Sequence, residues 1–156
     1  MLVRRHHLYV KETNESFQYN QKTQTAQSVW KIAKDILGEE IDIQENLYAL
    51  YFNNSMIVQG YAHLSKGDIG GTIMPMSILY KYAIDLLATS IVVFHNHPSG
   101  NLNPSSEDRK FTEAVRETGK LLNIRLLDSL IVTKNGFYSI ESDENVKPKV
   151  KEESYV

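Results

Sequence analysis

The chain reads as an α/β domain in which a mixed β-sheet is flanked by helices. Three observations predict this class. Short runs rich in β-branched and aromatic residues, such as 90–94 and Arg125–Thr133, read as buried strands. Segments such as Ser106–Leu122 carry apolar residues at helical spacing. The two kinds of segment alternate along the chain, the order that layers helices against a sheet. A length of 156 residues with 42% hydrophobic content suits one globular domain with a core of ordinary size.

Taken in order, residues 2–11 form a candidate strand, paired with 17–20 across a polar turn. Residues 25–37 place Val29, Ile32, Ala33, Ile36 and Leu37 on one helical face, with Gly38 as the stop. Trp30, beside that face, reads as core. Residues 45–52 and 56–63 flank Asn53-Asn54-Ser55 and predict an antiparallel hairpin. The stretch SKGDIGG at 65–71 matches neither a P-loop nor GxGxxG and reads as a mobile loop. A helix over 76–87 leads into the 90–94 strand, and a second over Ser106–Leu122 leads into Arg125–Thr133. Asn135-Gly136 is a hairpin signal joining that strand to 137–140. From Ser142 the chain is charged, contains Pro148 and has few apolar residues, which predicts a disordered tail over 143–156. No internal repeat is visible.

Composition excludes several function classes. Zero cysteines remove disulfides, thiolate-ligated zinc and cysteine nucleophiles. A net charge of -2 supplies no global drive toward phosphate backbones, so specific nucleic-acid binding is not expected. Arg4-Arg5-His6-His7 reads as a solvated start, and His6, His7 and His63 lack carboxylates at motif spacing and read as surface or structural residues. No apolar run approaches the ~20 residues that span a bilayer, and the first residues lack the apolar core of a signal peptide. A cytoplasmic protein with no membrane partner is expected.

The chemistry concentrates in His95-Asn96-His97-Pro98-Ser99-Gly100 and Pro104-Ser105-Ser106-Glu107-Asp108. If the strand persists past Phe94, its period of two sends His95 and His97 to the same side. Pro98, Gly100 and Pro104 then turn the chain back. Ser105 stands as N-cap of the following helix and Asp108 as N3, close to the loop that carries the histidines. Two imidazole nitrogens and one carboxylate oxygen make three protein ligands, and the open fourth position is the arrangement of catalytic zinc. Each half has a plainer reading, since Ser-x-x-Asp is an ordinary capping box and a histidine near a strand end is often only hydrogen-bonded. The combination favours the metal. Fe, Mn and Co also accept such ligands.

The spacing His95-x-His97, seven residues, Ser105, two residues, Asp108 resembles the metal motif of the JAB/MPN+ (JAMM) metalloproteases, and His-Asn-His-Pro-Ser-Gly with Pro-Ser-x-x-Asp is similar to its RadC branch. The resemblance covers residues 42–142, leaving 1–41 as a strand and helix packed on that domain. It implies a cytidine-deaminase-like topology and a domain standing almost by itself, without the helical region that commonly precedes it. It also implies a glutamate before an earlier strand, the role that Glu45 ahead of Leu47–Phe52 would fill. Two positions depart from the branch, which usually has Arg where this chain has Met76 and His where it has Ser129.

What the resemblance implies is amide hydrolysis at a peptide or isopeptide bond. His95, His97 and Asp108 would hold zinc, which lowers the pKa of water toward neutrality. Glu45 would act as general base and return the proton to the leaving amine. Ser105 would stabilise the oxyanion, cap its helix, or do both. The partner is then a protein or peptide substrate. A second class is a noncatalytic metal-binding interaction module, tied to DNA repair or mobile elements only through the RadC name.

Overall fold

The structure is a computed structural model, and it describes residues 25–67 and 76–147. The proposed strands at 2–11 and 17–20, most of the 65–71 loop, and residues 148–156 lie outside the described residues.

Thr25 opens the first helix, α1 (Ala26–Leu37), by accepting the Ser28 N–H on its hydroxyl at 3.1 Å. Gly38 ends it at φ +52, where a Cβ would be strained. A 3-10 turn at Gly38–Asp42, which the sequence pattern did not reveal, leads to strand β1 (Asn46–Phe52). Strand β2 (Val58–Lys66) pairs with it antiparallel. The hairpin loop is longer than Asn53-Asn54-Ser55, because Asn53 Oδ1 accepts the N–H groups of both Ser55 and Ile57 and Met56 sits at φ +61. The strand proposed over 56–63 therefore starts two residues later.

Helix α2 (Met76–Asp85) stops short of the expected 87, where Leu87 turns left-handed at φ +52. Strand β3 (Ser90–Asn96) runs two residues past the expected 94, which brings His95 into the sheet. Helix α3 (Ser106–Leu122) and strand β4 (Arg125–Thr133) follow with the bounds read from sequence. Strand β5 (Gly136–Ser139) begins one residue early, with Gly136 paired to Thr133. Gly136 is not there for a positive φ. A Cβ on it would lie 2.6 Å from the Val146 carbonyl, so it admits the backbone of strand β6 (Glu144–Val146). Those residues were expected in the disordered tail. Backbone pairing with β5 holds them despite their polar side chains, because the ladder uses only main-chain groups.

The six strands lie in the order β2-β1-β3-β4-β5-β6, antiparallel except for the β3–β4 pair. This is the mixed sheet with flanking helices that the alternation predicts. Every residue of β3 is buried, as a central strand covered on both faces must be. On one face Leu50, Phe52, Val92, Phe94, Leu130 and Val132 pack against α1, and Trp30 Nε1 donates to Thr133 O at 2.8 Å. On the other, Ala49, Tyr51, Ile91 and Val93 pack against α2 and α3. Tyr51 donates to Leu79 O and Tyr80 to Val115 O, which ties α2 to the sheet and to α3. No buried side-chain polar atom among the described residues lacks a partner. No helix among them is long and apolar enough to cross a membrane.

Candidate metal centre

The parallel pair β3–β4 requires a crossover, and α3 is that crossover. Its N-terminus therefore returns to the end of the sheet where β3 finishes. Antiparallel β1 begins at this same end, with Leu47 opposite His95. Three chain segments distant in sequence converge there.

The period of two decides which side chains meet. Residues 91, 93 and 95 of β3 share the face covered by α2 and α3, so His95 belongs to that face. Glu45 stands just before β1, two residues ahead of Leu47, and its carboxylate lies on the His95 side. The result is a group of four, Glu45, His95, His97 and Asp108, whose ligand atoms all lie within 4.8 Å of one another. His95 Nε2 stands 3.2 Å from Asp108 Oδ1, 3.1 Å from His97 Nε2 and 3.9 Å from Glu45 Oε1. His97 Nε2 stands 3.6 Å from Asp108 Oδ2. His95 and Asp108 are buried, while Glu45 keeps 23% of its side chain exposed, so the centre opens on the glutamate side.

Asp108 is held by the capping box that the sequence predicts. Ser105 Oγ accepts the Asp108 N–H at 3.1 Å, and Asp108 Oδ2 accepts the Ser105 N–H at 2.8 Å. His97 is held by its other ring nitrogen, Nδ1, which donates to Asn101 O at 2.6 Å. That bond leaves the Nε2 lone pair of the neutral ring directed at the centre. The donor set, two imidazoles and a carboxylate with a second carboxylate beside them, fits a borderline divalent ion such as zinc.

Electrostatics agree with that fit. Burial opposes ionisation of Asp108, yet hydrogen bonds from His95 and His97, the charge of His95 and the Ser105 N–H outweigh it, and the carboxyl sits well below the usual range. Burial likewise disfavours protonated His97, but Asp108, Asn101 O and Glu45 prevail and its pKa is raised.

All four residues singled out from sequence for metal and base meet here, and Ser105 sits in the same helical turn as Asp108. His63 lies apart, stacked on Tyr48 with ring centroids 4.5 Å apart and with Nε2 2.9 Å from Asn46 Oδ1. Two supports escaped the sequence reading. Asn101 acts through its carbonyl, which any residue would present, so no signal existed. Asn96 is fully buried with its side chain bonded to 41–46, and a polar residue ending an apolar strand was the available signal. Ser129 Oγ lies 2.8 Å from Thr112 Oγ1, whose hydroxyl donates to Asp108 O. The position that departs from the RadC pattern thus reaches the centre's helix through one intermediary.

The RadC-like JAB domain family matches residues 23–146. A UPF0758 protein of Flavobacterium johnsoniae is 37% identical over 118 residues, covering 76% of this chain and 51% of the relative. A UPF0758 protein of Chlorobaculum parvum is 32% identical over 120 residues, covering 77% and 53%, and one of Clostridium botulinum is 38% identical over 98 residues, covering 63% and 43%. The chain spans about half the length of these relatives.

Proposed function

The chain belongs to the RadC-like JAB domain family, and from that footing we propose that it is a zinc-dependent hydrolase acting on the amide bond of a peptide or isopeptide. The observation that carries the proposal is the convergence of Glu45, His95, His97 and Asp108, from three separate segments, within 4.8 Å. Pairwise hydrogen bonding alone does not require two imidazoles and two carboxylates to share one point.

His95, His97 and Asp108 would hold the ion, which supplies a nucleophilic water near neutral pH and polarises a carbonyl. Glu45 is the most exposed of the four and faces the open side, so its carboxylate is the group placed to take a proton from water and deliver it to the leaving nitrogen. Ser105 uses an oxygen lone pair to cap α3, which leaves its O–H to donate to the oxygen of a substrate carbonyl as charge develops there. The substrate is a protein or peptide, and a net charge of -2 argues against a polyanion.

The test is elemental analysis of the untagged protein beside His95→Ala and Asp108→Ala. Near-stoichiometric zinc that disappears in both variants supports the reading, and Glu45→Gln should then keep the metal and lose peptide cleavage. A protein that neither contains zinc nor takes it up removes the hydrolase and leaves a noncatalytic interaction module in its place.

A further inference from the structure

Resting on the metal-hydrolase reading above, we infer that Asn96 is a positioning residue that sets the place of Glu45. The tripeptide His95-Asn96-His97 works on both faces of the sheet. His95 and His97 point to the metal centre, and the period of two sends the Asn96 side chain to the opposite face.

There the amide meets the backbone on both sides of Glu45. Asn96 Nδ2 donates to Ile41 O and to Gln44 O, each at 2.9 Å, and Asn96 Oδ1 accepts the N–H of Asn46 at 2.8 Å. Residue 44 and residue 46 are thus held by one side chain, fully buried at 0% exposure. The Gly67 N–H closes the clamp by donating to Glu45 O at 2.8 Å. Glu45 itself lies outside β1, in the connection from the 3-10 turn, so the sheet ladder does not fix it. From this backbone position its Oε1 stands 3.9 Å from His95 Nε2.

An asparagine is the side chain this geometry asks for. Two donors and one acceptor in one plane match two carbonyls and one N–H. Aspartate would keep the acceptor and turn a carboxylate oxygen on two carbonyl oxygens. Alanine would take the Asn96 partner from Ile41 O and from the Asn46 N–H, and leave Gln44 O with only the Asn46 Nδ2 donor at 2.8 Å. Displacing a catalytic carboxylate by about 1 Å lowers rate on the order of 100-fold. Because the histidines are held by β3, Asn101 and Asp108 instead, metal affinity is separable from the placement of Glu45.

The experiment uses cobalt(II) as the probe in the untagged protein and reads affinity and the visible absorption band together. Glu45→Gln should alter the band with cobalt still bound, its affinity falling by no more than the roughly 10–100-fold that follows a change in a group beside the ion when the ligands themselves are kept. Asn96→Ala and Asn96→Asp should alter the band in the same sense, again with cobalt bound, and Asn96→Ala added to Glu45→Gln should change nothing further. Asn96 variants with an unaltered band, or with an effect that persists in the Glu45→Gln background, overturn the clamp while leaving the metal reading intact. Absence of cobalt uptake by the unmutated protein overturns both. Should the Asn96 variants fail to fold, hydrogen exchange of the unmutated protein decides. The Asn46 and Gly67 amides should be as protected as that of Ala49, and exchange at the rate of open loops would defeat the proposal.

Discussion

Asp108 directs its two carboxylate oxygens at different partners: Oδ2 accepts the Ser105 N–H at 2.8 Å, and Oδ1 lies 3.2 Å from His95 Nε2. One side chain therefore closes the first turn of α3 and completes the candidate metal-binding group. Helix capping and ligand placement are the same act of local structure.

Ser105→Ala separates the two roles. Loss of the cap should lower stability by about 1 kcal/mol and the melting temperature by about 3 °C. Zinc affinity should fall far less than in Asp108→Ala, because Asp108 remains on the helix. Calorimetry paired with a zinc titration measures both, and equal loss of affinity in the two variants would contradict the division of roles.

Zinc should stabilise the fold by mass action. Free zinc at 100 times its dissociation constant raises unfolding free energy by about 2.7 kcal/mol. Thermal melts with and without zinc should show this shift in the unmutated protein and lose it in His95→Ala. A shift of the same size in both would place the bound zinc elsewhere.

Asp128 gives a pH dependence away from the metal centre. Burial pushes its carboxyl above the ordinary value, against hydrogen bonds from the Ser139 hydroxyl at 2.7 Å and the Ser129 N–H at 2.7 Å that favour the ion. The folded protein then binds this proton more tightly than the unfolded chain does. Its contribution is fully present below the ordinary carboxylate pKa of about 3.9 and is lost as pH rises through the raised folded value. Asp128→Asn removes the titration, so the variant's stability relative to the unmutated protein should rise with pH across that window and then level off. Urea unfolding from about pH 3.5 to 7 measures it, and a relative stability that falls with pH would reverse the sign.

Gly119→Ala should destabilise the protein even though alanine is the better helix former by about 1 kcal/mol. A Cβ there would meet Ile124 O at 2.3 Å and the Tyr80 hydroxyl at 2.8 Å. The first contact is backbone and has little room to give. A drop in melting temperature is expected, and an increase would show that the backbone at Ile124 gives way to the added methyl.

Much of the centre was legible because its geometry is local. The capping box at Ser105 and Asp108 spans one turn, and the strand period points His95 and, one residue past the end of β3, His97 to the same side. Helix α3 and strand β4 were read with their bounds for the same reason: strong periodicity bounded by caps and turns. Glu45 was different. No local pattern joins it to residues 50 or more positions away, and only a family resemblance pointed to it until the pairing of Leu47 with His95 put it at the site.

The remaining differences have the same origin. Gly136 admits a strand that composition assigned to a disordered tail, and Asn96 spends its amide on a segment far away in sequence. The sequence by itself determined the fold class, α1, α3, the buried strands and three prospective metal ligands, because helix caps and side-chain periods are set by residues within a few positions of one another. Tertiary structure alone decided the strand order, the arrival of Glu45, the anchoring of His97 by a backbone carbonyl and the clamp around residue 45. Those depend on which backbone groups meet across the sheet, and backbone groups are the same in every residue, so side-chain identity does not encode them.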